Sequence, residues 1–278
     1  MKPNSQMLSK IKIWFVLGLG SIVCFASFDT TSLAETAENP HNRKIKFIPA
    51  NNQPKPPSNG TPKADHGTGS RGNCPYKANV PELTSLGGDG ALTTTLGSHP
   101  SFWIYVPYST SEVSHGEFSL QDGEQDLYRA KIELPSNIPG IVEVSLPSTI
   151  SPLKVDREYR WYFEIDCSNE LAGSESTALD TLTGIVRPVK PSAKLNRELK
   201  MARSPLEIVD IYAKYGIWYE TVTELAQLII LYPHNSTYQR LWSGLLGQSN
   251  VSKTDVANES LVGKARLNMF NHSMPDKK

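Results

Sequence analysis

The chain has 278 residues, and its 28 Lys and Arg side chains balance its 28 Asp and Glu side chains, so the formal net charge is zero. This balance argues against a protein that coats nucleic acid, because such a protein needs an excess of basic side chains to neutralise phosphates. The length allows one large domain or two small ones.

The first residues have the pattern of a secretory signal peptide. Three lysines precede an uncharged, mostly apolar run over 13–28, and the small residues Ser32 and Ala34 mark a cleavage site. The run has 16 residues (28 − 12), which is short for a membrane span. We therefore expect residues 1–34 to be removed and the mature protein to lie in the periplasm or outside the cell. The alternative is an uncleaved anchor, in which case the protein would contact a membrane.

Residues 35–73 predict a disordered tether. Between 49 and 73 the chain has no Ile, Leu, Val, Met, Phe, Tyr or Trp. Such a segment cannot bury enough apolar surface to offset the entropy lost on ordering. We expect it to connect the signal peptide to the folded part of the chain.

Two cysteines remain once the signal peptide is removed, because Cys24 lies inside it. An exported chain with one pair, Cys74 and Cys167, is a candidate for a disulfide bond. The bond would close a loop spanning 93 residues (167 − 74), for which the chain-entropy model gives about 4–5 kcal/mol of stabilisation. The alternative is a pair of buried free thiols.

Residues 74–190 have the pattern of an all-β domain, with short β-branched and aromatic runs separated by Pro, Gly and Asp turns. About seven strands at this spacing are typical of a fibronectin type III or immunoglobulin-like sandwich. The predicted strands are a weak one near 91–96 and six clear ones at 101–106, 116–121, 126–134, 141–146, 157–167 and 181–189.

The strand that ends at Cys167 has the clearest pattern, because aromatic and apolar residues alternate strictly with polar ones from Tyr159 onward. Strict alternation predicts a strand with one buried face, and it puts Cys167 on that face. Leu153 and Tyr159 lie six residues apart (159 − 153) across the preceding turn. They resemble the tyrosine corner of such sandwiches, in which the phenol caps a backbone group upstream.

From residue 191 the apolar pattern changes to a helical period, which predicts a helical module over 191–247. Ser204, followed by Pro205 and by Glu at 207, is a strong helix start. The polar segment 248–278 is expected to be a flexible tail. The predicted helices cover 205–215, 218–232 and 236–246.

Tyr212, Gly216 and Pro233 lie at the offsets of one tetratricopeptide unit. A single unit of this kind cannot bury its own apolar face. We therefore expect a tetratricopeptide-like helical hairpin that docks on the sandwich.

Four aromatic residues are the candidates for ligand binding. Trp103 and Tyr105 share one face of the 101–106 strand, Tyr108 follows that strand, and Tyr162 lies on the polar face of its own strand. One interpretation is an exposed platform for a sugar or a protein. The other is that the helices cover this face, which their need for a partner favours.

His99 and His115 flank the first clear strand. They are the candidates for a hydrolase site, in which the two side chains would meet across that strand. The histidines lack the spacing of metal ligands, and the sequence has neither a GxSxG nor an HExxH motif. We therefore predict no catalytic residue, no metal site and no cofactor, and we keep a hydrolase as an alternative.

Three segments, HPSFWIYVPY, YRWYFEIDC and YAKYGIWYE, are specific when taken together. With them, the chain resembles the largely cyanobacterial family catalogued as domain of unknown function 928, over about 69–246. The resemblance implies export and the extent of the folded region. It implies no activity and transfers no catalytic residue.

We expect a non-enzymatic envelope or periplasmic protein that contacts a partner protein through the edge of the sandwich or the helical face. The alternative is a carbohydrate- or cell-wall-binding module that uses the four aromatic residues to hold a polysaccharide. An apolar groove on the helices would favour the first function, and a row of exposed aromatic side chains would favour the second. No nucleic-acid partner is expected.

Overall fold

The structure, a computed structural model, describes residues 43–50, 74, 77–113, 115–167 and 179–269. The predicted signal peptide and most of the predicted tether lie outside these residues. So does the last part of the predicted tail. In the described part of the chain, the protein is mainly β, with two mixed sheets and four α-helices.

Six strands match the clear sequence predictions to within about two residues at each end, which is the usual uncertainty of strand boundaries. The structure adds short strands on both sides of them. The strands of the described residues are β1 (Thr84–Ser85), β2 (Thr94–Thr95), β3 (Ser101–Val106), β4 (His115–Asp122), β5 (Gln125–Glu133), β6 (Gly140–Ser145), β7 (Tyr159–Asp166), β8 (Leu179–Pro188), β9 (Leu261–Lys264) and β10 (Arg266–Met269).

The strands form two sheets that share a core. One sheet has the order β1-β3-β6-β9 and the other has the order β10-β5-β4-β7-β8-β2, with β9 parallel to β6 and β2 parallel to β8. Phe102 of the first sheet lies 5.0 Å from Phe118 and 5.5 Å from Trp161 of the second sheet, between ring centroids. Because these side chains alternate along their strands, one face of each sheet is fully buried against the other.

Two features fix the two ends of β7 in the sandwich. Cys74 and Cys167 form a disulfide bond with their Cα atoms 5.2 Å apart, which is the predicted pairing. Tyr159 Oη accepts a hydrogen bond from the backbone N–H of Lys154 at 2.9 Å, and Leu153 is buried beside it. This is the backbone contact that a tyrosine corner makes.

Four helices follow the sheets: α1 (Ala193–Met201), α2 (Pro205–Lys214), α3 (Trp218–Leu231) and α4 (Ser236–Leu246). The capping side chain of Ser204 accepts a hydrogen bond from the N–H of Glu207 at 3.2 Å, as the sequence pattern predicts. Gly216 joins α2 to α3 at a φ of +70°, where a Cβ atom would lie 2.6 Å from the backbone nitrogen of Ala50. None of the helices in the described segments is long and apolar enough to cross a membrane.

A second core lies between the helices and the outer face of β3 and β6. Trp103 of β3 and Ile141 of β6 share this core with Trp218 of α3, and all three are buried. Residues from the first part of the predicted tether complete this core, because the ring of Phe47 lies 4.8 Å from that of Trp218 in an edge-on contact. The prediction of disorder is therefore wrong for 43–50, where two apolar side chains reach the helices.

The prediction of a flexible tail is wrong for 248–269. After α4, the chain makes a 3₁₀ turn at Thr254–Val256, and β9 and β10 then pair with the edges of β6 and β5. Ala265, between the two strands, is buried where the chain passes from one sheet to the other. The segment is ordered because two sheet edges, built far earlier in the sequence, supply its hydrogen-bond partners.

Candidate functional site

The four predicted aromatic residues do not form an exposed platform. Trp103 and Tyr105 are buried beneath α3, and Trp103 Nε1 donates a hydrogen bond to Thr223 Oγ1 at 3.0 Å. Tyr108 is buried and donates its hydroxyl to Asp180 at 2.7 Å, whereas Tyr162 is partly buried on the second sheet. The helices cover Trp103 and Tyr105, and Tyr108 lies in the core between the sheets, so these residues do not form an exposed aromatic row.

The two candidate histidines do not meet. His99 precedes the first residue of β3, whereas His115 begins β4 beyond the far end of β3, so the two lie at opposite ends of that strand. The His99 ring contacts Ser98 Oγ at 3.1 Å and the carbonyl oxygen of Ile150 at 3.0 Å. His115 Nε2 lies 3.5 Å from Asp166 Oδ2 on the neighbouring strand β7. Across the described residues, no group of three His, Cys, Asp or Glu side chains could hold a metal ion.

One polar cluster is buried between the first sheet and α3. Ser101 and Ser145 each donate a hydroxyl to Glu143 Oε1, at 2.7 Å and 2.6 Å. The other oxygen of Glu143 accepts from Gln227 Nε2 of α3 at 3.4 Å. The carboxyl group therefore joins β3, β6 and α3 through hydrogen bonds, which is a structural role for a buried polar group.

The candidate site is a groove of about 580 Å³ between the helices and the edge strand β9. We call it the β9 groove. Its volume is within the range of small-molecule pockets. The walls are the end of α3 with Ile229, Ile230 and Pro233, α4 with Gln239 and Trp242, and the segment 257–263, with Asn137 at one side.

The helical wall is apolar because α3 carries more apolar residues than one face can bury. Leu228 packs inward, whereas three residues near the end of the helix are at the surface: Ile230 is 43% exposed, Leu231 67% and Tyr232 55%. Of these three, Ile230 lines the groove. Pro233 ends the helix, and the Asn235 side chain caps α4 by accepting from the N–H of Thr237 at 3.0 Å. The short turn therefore holds an apolar helix end beside the sheet.

The other wall is a strand edge. In the described part of the chain, β9 pairs with β6 alone. Gly263 adopts a φ of +115°, and a Cβ atom built on it would meet nothing within 4 Å. The surface of this wall is therefore open at Gly263, and β9 is the edge of its sheet.

The groove has few charged groups. Of its lining residues, Glu259 alone is ionisable, and its charge affects the pKa of the buried Tyr105. Burial, with a smaller contribution from Glu259, raises the pKa of Tyr105 to about 12.

The indole N–H of Trp242 is buried and has no hydrogen-bond partner in the described structure. Few buried polar groups lack a partner, because an unmade hydrogen bond destabilises the folded state.

The sequence contains one signal of this site that periodicity does not capture. Residues 228–232 read LIILY, which is five consecutive apolar residues at the end of an amphipathic helix. A run of this kind must leave some apolar side chains at the surface. The opposite wall had no such signal, because its position depends on the pairing of β9 with β6.

A family model described as Domain of Unknown Function (DUF928) matches residues 66–261. The match covers both sheets as far as the first residue of β9, and all four helices. No curated protein matches the chain, and no solved structure matches it.

Proposed function

The chain belongs to the family described as Domain of Unknown Function (DUF928), and within it we propose that this protein is an exported, non-enzymatic binding domain that holds a partner protein in the β9 groove. The observation that carries the proposal is the exposed apolar end of α3 beside an open strand edge.

The composition of the groove supports a protein partner. Apolar residues Ile230 and Pro233 lie beside the polar residues Asn137, Gln239 and Asn258. Protein interfaces share this arrangement, in which an apolar centre is surrounded by a polar rim. Contiguous exposed apolar surface on a folded domain marks an interaction site more often than isolated exposed residues do.

Export is supported by two observations on different parts of the chain. The first is the signal-peptide pattern of residues 1–34. The second is the disulfide between Cys74 and Cys167, since such bonds persist mainly in oxidising compartments. The partner would then be a protein of the envelope or the cell exterior.

We also infer that the two sheets are a fibronectin type III-like sandwich extended at its edges by β2, β9 and β10. The sheet order, with β1, β3 and β6 opposite β5, β4, β7 and β8, supports this inference. The backbone contact of Tyr159 supports it as well. Helices α2 and α3, joined at Gly216, would be one tetratricopeptide-like hairpin.

Site-specific photo-crosslinking in the source cells tests the proposal. A photoreactive amino acid would replace Ile230 in the groove or, as the control, Val155, which is similarly exposed at 49% in the turn before β7. We expect a discrete protein adduct from position 230 that is absent from position 155. Equal adducts from both positions, or none from position 230, would contradict the proposal.

A further inference from the structure

The hydrogen bonds between β6 and β9 show which backbone groups of β9 are free. The N–H of Ile141 donates to the carbonyl oxygen of Ser260 at 2.7 Å, and the N–H of Ala265 donates to that of Glu143 at 2.8 Å. In a parallel pair, a residue whose register partner bonds to its two chain neighbours turns its own backbone polar groups to the other side. Leu261 and Lys264, the register partners of Ile141 and Glu143, therefore direct their N–H and C=O groups away from β6. The pairing has a register shift between Ile141 and Val142, so the outward residues of β9 are three positions apart rather than two.

These outward groups have no hydrogen-bond partner among the described residues. A strand edge of this kind is a template for another extended chain. Gly263 lies between the two residues, and nothing occupies the space where its side chain would be.

The helical wall would contact the side chains of such a strand. Successive side chains of an extended segment point to opposite faces, so every second one would face Ile230, Pro233 and Trp242. These lining residues are apolar or aromatic, and they select apolar side chains at alternate positions. A helix would leave the polar groups of Leu261 and Lys264 unpaired, whereas a strand satisfies them.

We propose that the β9 groove binds its partner through an extended peptide segment, which adds a strand to the free edge of β9 and turns alternate apolar side chains toward Ile230 and Trp242. This inference rests on the proposed function, because it names the chemistry of the partner at the same site. The main-chain hydrogen bonds supply affinity, and the apolar wall supplies the preference for sequence.

A displayed library of random nine-residue peptides, selected on the full mature chain, provides the probe. We expect enriched peptides to carry apolar residues at alternate positions. Enrichment of apolar residues at helical spacing, or no enrichment, would overturn the proposal. Fluorescence anisotropy of a selected synthetic peptide gives its dissociation constant for the following tests.

N-methylation of the peptide backbone tests the strand directly and needs no change to the protein. Methyl groups on one set of alternate residues should weaken binding about tenfold or more, because they remove the main-chain hydrogen bonds to β9. Methyl groups on the other set should change binding by about twofold or less, because those N–H groups face away from β9. Equal effects of the two sets would exclude strand addition.

Ile230→Asp tests the apolar wall, with Val155→Asp as the matched control at an exposed apolar residue outside the groove. We expect about tenfold weaker binding of the peptide to the first variant and no change in the second. Because Ile230 is 43% exposed, both variants should keep the thermal midpoint of the wild type. Unchanged binding to Ile230→Asp would overturn the proposal.

Failure of this inference can be told apart from failure of the proposed function. If position 230 still crosslinks to a protein but both methylated peptides bind alike, the proposed partner-binding function is supported and strand addition at β9 is excluded. If neither crosslinking nor peptide binding occurs, both are wrong. A dimer in sedimentation that Ile230→Asp dissociates would identify a second copy of the chain as the occupant and overturn the peptide partner.

Discussion

Glu220, in the first turn of α3, fastens the helices to the loop after β2. Its Oε1 atom accepts hydrogen bonds from Thr95 Oγ1 at 2.7 Å and from the N–H groups of Leu96 and Gly97 at 2.8 Å each. Its Oε2 atom is buried and has no hydrogen-bond partner in the described structure. Burial raises the pKa of Glu220 above its ordinary value of 4.5, although the hydrogen bonds from Thr95, Gly97 and Leu96 oppose the rise.

Glu220→Gln should therefore change how the stability of the protein depends on pH. The folded state holds the proton of Glu220 more tightly than the unfolded state does, so this contribution to stability is present below about pH 4.5 and is lost as pH rises through the folded pKa. Urea unfolding of both proteins from pH 4 to pH 8 should show the wild type losing stability relative to the variant. A difference that does not vary with pH would refute the raised pKa.

Glu220→Ala serves as the control for the hydrogen bonds. It leaves Thr95 Oγ1 and the N–H of Leu96 without their acceptor. Each unsatisfied buried donor costs about 1–3 kcal/mol. The alanine variant should therefore be less stable than the glutamine variant at every pH.

At the scale of elements, the sequence predicts those helices and strands whose apolar pattern is regular over a continuous segment. Tyr159–Asp166 alternates over 8 residues, and Trp218–Leu231 has a helical stripe over 14, so both could be recognised locally. Strands β9 and β10 have 4 residues each, which is too short for a pattern to emerge. Their structure depends on edges of β6 and β5 that no local signal encodes.

One wall of the candidate site could likewise be predicted from the sequence, and the other could not. The apolar excess at the end of α3 is visible in the sequence, whereas the wall formed by 257–263 is not. The aromatic residues Trp103 and Tyr105 were recognisable as a row, and their burial was the open question. Composition cannot decide whether a row faces solvent or a helix, since both need the same apolar residues.

Truncation after Asn258 tests the role of the last two strands. Loss of β9 and β10 uncovers the edges of β6 and β5 and removes the buried residue Ala265. We expect the free energy of unfolding to fall by about 3 kcal/mol or more, from lost apolar burial and strand pairing, and light scattering to detect self-association through the exposed edges. A truncation after Met269, which keeps both strands, is the control. An unchanged melting temperature and a monomeric shorter chain would contradict the expectation.

At the scale of the whole molecule, the disulfide connects residue 74 with the end of β7 across 93 residues of sequence. The loop-entropy model gives about 4–5 kcal/mol for such a loop, and removal of a native disulfide typically costs about 2–5 kcal/mol. Replacing Cys74 and Cys167 together by serine should therefore lower the free energy of unfolding by an amount in that range, measured by urea denaturation.

The same bond tests the predicted export. Alkylation and mass spectrometry of the mature protein, isolated from its native compartment, should detect no free thiol at Cys74 or Cys167. The N-terminal sequence of that protein should begin after Ala34 if the signal peptide is cleaved. Labelling of both thiols would contradict an oxidising destination.

The earliest described residues are held by some of the latest. Gln248 and Asn250 bind the backbone of Ile45 and Phe47 through three hydrogen bonds, across 201 to 203 positions of sequence. Phe47 is synthesised long before those partners, so the core beneath the helices cannot close until residues 248–250 are present. Until then, Ile45 and Phe47 lack the contacts that bury them, so a chain that is incomplete at its carboxyl end presents two exposed apolar side chains to a chaperone.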